Sequence, residues 1–123
     1  MTQTRKDALQ ELLAKVGAGG KIQPFLFQDA FNNQNHVNCA GEAYDAFDGS
    51  LDAALAMHNA VLPGWISNIT QLENRWWIAQ VVHPQGDGWP KWTPYPSWDH
   101  ADQNPARAWL CAILKALIAE CDR

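Results

Sequence analysis

Several features that announce a function are missing from this sequence. Its 123 residues carry nine Lys and Arg against thirteen Asp and Glu, a net charge of −4. The basic residues form no cluster, so the positive stripe that neutralises phosphates is absent and no nucleic-acid partner is expected. No apolar run approaches the ~20 residues of a bilayer span, so no membrane partner is expected either. Met1 to Val16 carry charges throughout and contain no signal-peptide core, which points to the cytoplasm. Cysteine is scarce and odd in number: Cys39, Cys111 and Cys121. An odd count without a secretory signal argues against a disulfide framework. Cys111 and Cys121 are too far apart on one straight helix to bridge, so all three read as free thiols. There are no internal repeats, no low-complexity tracts and no linkers, and a chain of this length accommodates one domain.

What the sequence has is tryptophan. The seven are Trp65, Trp76, Trp77, Trp89, Trp92, Trp98 and Trp109. A buried indole removes a large area from water and needs a partner for its N–H. Two roles are open to them: filling a small core, or forming a binding face. Apolar residues make up 47% of the chain and charged residues 18%, which suits a packed domain and not a disordered one.

Periodicity places the elements. Thr4 to Val16 reads as an amphipathic helix, capped by Thr4 with Asp7 three residues on, its stripe Leu9, Leu12, Leu13 and Val16, ended by Gly17, Gly19 and Gly20. Pro24 to Phe31 is apolar and aromatic, compatible with a short helix or with irregular packing. Asn32 to Asn38 reads as a polar loop. Asp48-Gly49-Ser50 is a turn into a helix that Ser50 caps, with Asp52 in the first turn. Its core side is expected to be Leu51, Ala54 and Leu55, completed by His58 or by Ala60 to Leu62, and Pro63-Gly64 stops it. Trp65 to Leu72 and Arg75 to His83 read as a β-hairpin around Glu73-Asn74. Trp76, Ile78 and Gln80 would face one way and Trp77, Ala79 and Val81 the other. Both faces are largely apolar, which argues for cover on both sides. Pro84 to Gln103 is rich in Pro, Gly and Trp, with Asp99 to Asn104 a polar lead-in to the last helix. Asn104-Pro105 opens that helix, and Trp109, Leu110, Ile113, Leu114 and Leu117 form its stripe. The expected fold class is α+β, a layered helix–sheet–helix (α-β-α) sandwich with a small antiparallel sheet.

Three stretches carry a resemblance: Tyr44 to Trp65, the Trp76-Trp77 strand, and Pro105 to Ala119. The specific part is Ser50-Leu51-Asp52-Ala53-Ala54-Leu55 followed by Gly64-Trp65. Together they resemble the phage ABA sandwich family, small proteins of phages and prophages. The Tyr44-to-Gly49 spacing is longer, and the segment Trp89 to Trp98 more elaborate, than the family's compact form. The resemblance implies an α–β–α sandwich in a bacterial host's cytoplasm and brings no established activity, cofactor or catalytic residue.

No residue set reaches the specificity of a catalytic or metal signature, and no cofactor is expected. His36 and Cys39 have the spacing of half a zinc site, but no second pair follows. Nothing local would activate Cys39 as a nucleophile. Asp99, His100 and Asp102 suggest an acid–base group only loosely, with no nucleophile marked. An enzyme would need His36, Cys39, His83 or His100 to meet in one pocket. Gly17-Ala18-Gly19-Gly20 follows a helix and lacks the Gly-Lys-Ser/Thr of a phosphate loop. Asn68-Ile69-Thr70 is a formal glycosylation acceptor and otherwise an ordinary strand pattern. The expected function is a phage or prophage accessory protein that binds a host or phage protein. The alternative is a sugar or nucleotide binder acting through an aromatic stripe of Trp89, Trp92, Tyr95 and Trp98. These are three residues apart, with Pro90, Pro94 and Pro96 between them. In polyproline II geometry, with three residues per turn, such positions share a side. The opposing expectation is that they fold down as a lid on the core.

Overall fold

The computed structural model describes residues 4–18, 21–31, 39–83 and 97–121. Among them lie five α-helices, α1 Arg5–Ala18, α2 Pro24–Phe31, α3 Cys39–Phe47, α4 Leu51–Val61 and α5 Pro105–Glu120, and three strands, β1 Ile66–Gln71, β2 Trp77–Val82 and β3 Ser97–Asp102. The fold is α+β, a small sandwich of helices on a three-stranded antiparallel sheet ordered β1-β2-β3.

α1, α4 and α5 begin where the sequence supplies a side chain for their unpaired amides. The Asp7 N–H donates to Thr4 Oγ1 (3.1 Å) and the Thr4 N–H to Asp7 Oδ2 (3.5 Å), a reciprocal box that starts α1. Leu9, Leu12 and Val16 of that helix are fully buried. The helix runs on through Gly17 to Ala18, so Gly17 is its penultimate residue and not its stop. The aromatic stretch after it is helical. In α2, Leu26, Phe27, Ala30 and Phe31 are buried, two adjacent rows one turn apart. A further helix, α3, precedes the Asp48-Gly49 turn and buries Ala43, Ala46 and Phe47. Gly49 has φ +112°, which a side chain would strain, and a Cβ there would stand 3.1 Å from Asn104 Nδ2.

Ser50 caps α4 through the Ala53 N–H (3.1 Å). The buried stripe of α4 is Ala54, Met57, His58 and Val61, followed by Leu62. Leu51 and Leu55, expected in the core, are 45% and 47% exposed. Ala54 is fully buried, and α4 packs on α3 and α5.

The hairpin closes through a 3₁₀ turn, Glu73–Arg75, with the Leu72 N–H donating to the Trp76 carbonyl at 2.6 Å. Arg75 adopts φ +66° in that turn. Val81 lies opposite Ser67 and Trp98, and Ala79 opposite Ile69 and His100. Ala79 and Val81 are fully buried against the helices, and their row is the inner face. Cover of the two faces is unequal. β1 is exposed apart from half-buried Ile69, and Ile66, Leu72 and Trp76 all stand open to solvent.

β3 replaces the expected lead-in loop. Asp99 to Asp102 pair with Gln80 to Trp77, and only Gln103-Asn104 remain to connect to α5. The last helix is the centre of the fold. It rests on β2 and β3 with one side and meets α1, α3 and α4 with the others. Trp109, Leu110, Ile113, Leu114 and Leu117 are buried, as their spacing predicts.

Candidate functional site

The buried histidine is a structural clamp. His58 Nε2 lies 3.0 Å from the Trp65 carbonyl, and Trp109 Nε1–H donates to His58 Nδ1 at 3.3 Å. The tautomer with its proton on Nε2 satisfies both bonds and gives Trp109 the partner a buried indole requires. One imidazole thereby ties α4 to the start of the hairpin and to α5. His83 packs edge-on against Trp65, with centroids 4.8 Å apart.

The proposed zinc half-site falls largely outside the described residues: His36 lies there, and Cys39 enters as the first residue of α3. Among the described residues no group of three His, Cys, Asp or Glu could hold a metal ion. Of the other thiols, burial above all, with Asp102 adding to it, pushes Cys111 up to about 12. A thiol held protonated in this way is no nucleophile at neutral pH.

Of the aromatic stripe, Trp89, Trp92 and Tyr95 lie outside the described residues. Trp98 belongs to β3, where neighbours alternate faces, so its direction follows the strand and not a three-residue repeat. It is half-buried on the inner face, 5.7 Å from the Trp65 ring, and packs on the core. Its outer edge joins Leu13, Ala14, Lys115 and Ile118 along a groove of about 470 Å³ between α1 and α5. The Lys115 ammonium in that groove donates to the Asp99 carbonyl at 2.7 Å.

The more polar recess lies where the end of α1, the end of β3 and the start of α5 meet. It has a volume of about 720 Å³ and is lined by Trp76, His100, Asp102, Gln103, Asn104 and Arg107, with Gly17 and Ala18 from α1. Gly17 brings that helix close: a Cβ there would lie 4.0 Å from His100 Cε1, in ordinary contact. Register explains the grouping. His100 and Asp102 are two apart on β3 and share its inner face, the face turned toward α5.

The hydrogen bonds of this recess are partly committed. Asp102 Oδ1 accepts from the Asn104 N–H at 2.9 Å. Asn104 Oδ1 accepts from the Ala106 and Arg107 N–H groups at 3.0 and 3.2 Å, capping α5. Arg107 Nε and Nη2 both donate to the Phe47 carbonyl, and its guanidinium stacks 4.6 Å from the Phe47 ring. His100 is held below its ordinary value, first by burial and then by Lys115, while Asp102 and Asp99 pull the other way. Among the described residues nothing hydrogen bonds to the His100 ring or the Gln103 amide. Asp99, suspected beside His100, lies on the opposite face of the strand, exposed.

The sequence singled out His100 and Asp102 but not Trp76, Gln103 or Arg107 as neighbours of one cavity. They come together through the β3 pairing, which the sequence does not announce. Compared with known proteins, the chain matches no protein-family model, no curated protein and no solved structure.

Proposed function

We propose that this chain is a small phage or prophage accessory protein that acts by binding a host or phage protein, which docks an extended strand on the edge of β1. The phage assignment rests on the sequence resemblance alone. The binding reading rests on one contrast, between the two edges of the sheet. Natural sheets guard their edges with charge, proline or cover, because an open edge offers unpaired N–H and C=O groups to any strand. The β3 edge is guarded: it carries Asp99 and Asp102, follows Pro96, and has Lys115 on a backbone carbonyl. β1, Ile-Ser-Asn-Ile-Thr-Gln, has neither charge nor proline, and among the described residues it pairs with β2 alone. Ile66 and Leu72 stand exposed at its two ends as apolar anchors for an added strand.

The test is affinity capture from bacterial lysate with the native chain and with Ile66→Lys and Leu72→Lys. Both sites are exposed, so the variants keep the native melting temperature. A stoichiometric partner that is lost from both variants, and that slows hydrogen exchange at β1 amides in the complex, is the expected result. Equal capture by all three proteins, background alone, or a second copy of this chain as the sole occupant overturns the reading.

The alternative, a small-ligand binder using the stripe Trp89, Trp92, Tyr95 and Trp98, has Trp98 as the one described member of that stripe, and Trp98 is engaged with Trp65 and the core.

A further inference from the structure

We propose that the recess between α1, β3 and the start of α5 is a binding site for a neutral saccharide. It depends on side chains other than the Ile66 and Leu72 proposed to anchor a strand at β1. Its volume of about 720 Å³ falls within the ~300–1,000 Å³ usual for small-molecule sites.

The walls state the chemistry of the ligand. Trp76 is 41% exposed, an indole left in water at the mouth of a cavity. The π face of an indole is electron-rich, and the C–H face of a pyranose, with its slightly positive hydrogens, stacks on it without needing charge. The same recess is lined by planar polar groups of both senses. Asp102 Oδ2 is an acceptor, Asn104 Nδ2 a donor, the Gln103 amide offers both, and so does neutral His100. The low-lying titration of His100 keeps it neutral and able to donate and accept. A mixed donor and acceptor set beside an exposed aromatic ring fits a polyhydroxylated ring, in which every hydroxyl both donates and accepts.

The same hydrogen bonds argue against an anion. A phosphate would seek the free amides at the start of α5, but Asn104 Oδ1 already takes the Ala106 and Arg107 N–H groups. It would seek the Arg107 guanidinium, but two of that group's nitrogens donate to the Phe47 carbonyl and its face lies on the Phe47 ring. It would also meet the Asp102 carboxylate. Two of the Arg107 N–H groups and one face of its guanidinium are thus engaged, and the Asp102 carboxylate repels an anion, which favours a sugar over a nucleotide.

The experiment is calorimetric titration of the native chain with cellobiose, maltose, lactose and N,N′-diacetylchitobiose, and with glucose 6-phosphate as an anionic probe. At least one neutral disaccharide is expected to bind at millimolar concentration or below, with glucose 6-phosphate weaker. Trp76→Ala should weaken that binding by about tenfold or more, the loss of roughly one stacking contact, and Gln103→Ala by less. Both positions are exposed, and an unchanged melting temperature confirms that the fold is intact. The site is overturned if none of the four disaccharides binds, if Trp76→Ala binds as the native chain does, or if the phosphorylated sugar is preferred.

Discussion

Single side chains settle where the elements begin. Ser50 shows this most simply, because one hydroxyl oxygen meets the Ala53 N–H that the helix itself cannot pair. Ser50→Ala leaves that amide open and should cost about 1 kcal/mol, while Ser50→Gly costs only a few tenths. Urea unfolding of the two variants checks the order, and equal, negligible losses would remove the cap from the account of α4. The cap also gives a physical reason for the Gly-Ser-Leu-Asp run: Gly49 makes the left-handed turn, Ser50 caps, and Asp52 sits in the first turn. Such starts were legible because each depends on neighbours within three or four residues. His58 was legible only as one option for the core. Its two partners, Trp65 and Trp109, are 7 and 51 positions away, and no local pattern announces them.

At the scale of elements, the best-read segment is α5, whose apolar residues recur so densely that almost any rotation buries them. Leu114 is fully buried at its centre, and Leu114→Ala should cost about 2–5 kcal/mol in urea unfolding. A loss below about 1 kcal/mol would mean the site collapses freely, contrary to the packing seen on its sheet and helix sides. In α4 the sequence places the helix and the burial of Ala54, His58, Val61 and Leu62, but not the exposure of Leu51 and Leu55. Two stripes fit helical spacing, Leu51 with Leu55 and Ala54 with Met57 and Val61. Hydrophobicity alone admits both stripes, and the structure buries the second, leaving Leu51 and Leu55 exposed. β3 is inconspicuous in the sequence for a different reason. Its inward residues are Trp98, His100 and Asp102, so the alternation that marks a strand is present in position but weak in hydrophobicity, and Asp is uncommon in strands. Because β3 supplies His100, Ala101 and Asp102 to the polar recess, a sequence that conceals the strand conceals the recess with it. α3 was hidden in a similar way, since two of its three buried apolar residues are alanines, which give little contrast.

For the molecule as a whole, acid is the expected weakness. His100 sits where α1, β3 and α5 converge, and burial, reinforced by Lys115, holds its pKa below 6.5 in the folded protein despite Asp102 and Asp99. The unfolded chain therefore binds a proton more readily. The contribution of His100 is fully present above about pH 6.5 and is lost as the pH falls from there through the lower folded value. Melting temperatures measured from neutral pH downward should fall more steeply for the native chain than for His100→Gln. Parallel curves would assign the acid sensitivity to other groups. The same convergence makes the centre of the fold its latest element in chain order. α5 supplies the surface on which β2, β3, α1, α3 and α4 all meet. On a ribosome, the helix on which α1, α4 and β2 all pack does not exist until Pro105 to Glu120 have been translated. Synthesis thus postpones completion of the core: a nascent chain stalled ahead of Pro105 can pair α1 with α2 and α3 with α4 but lacks the helix that joins them to the sheet, and stands open to proteases and chaperones until α5 emerges.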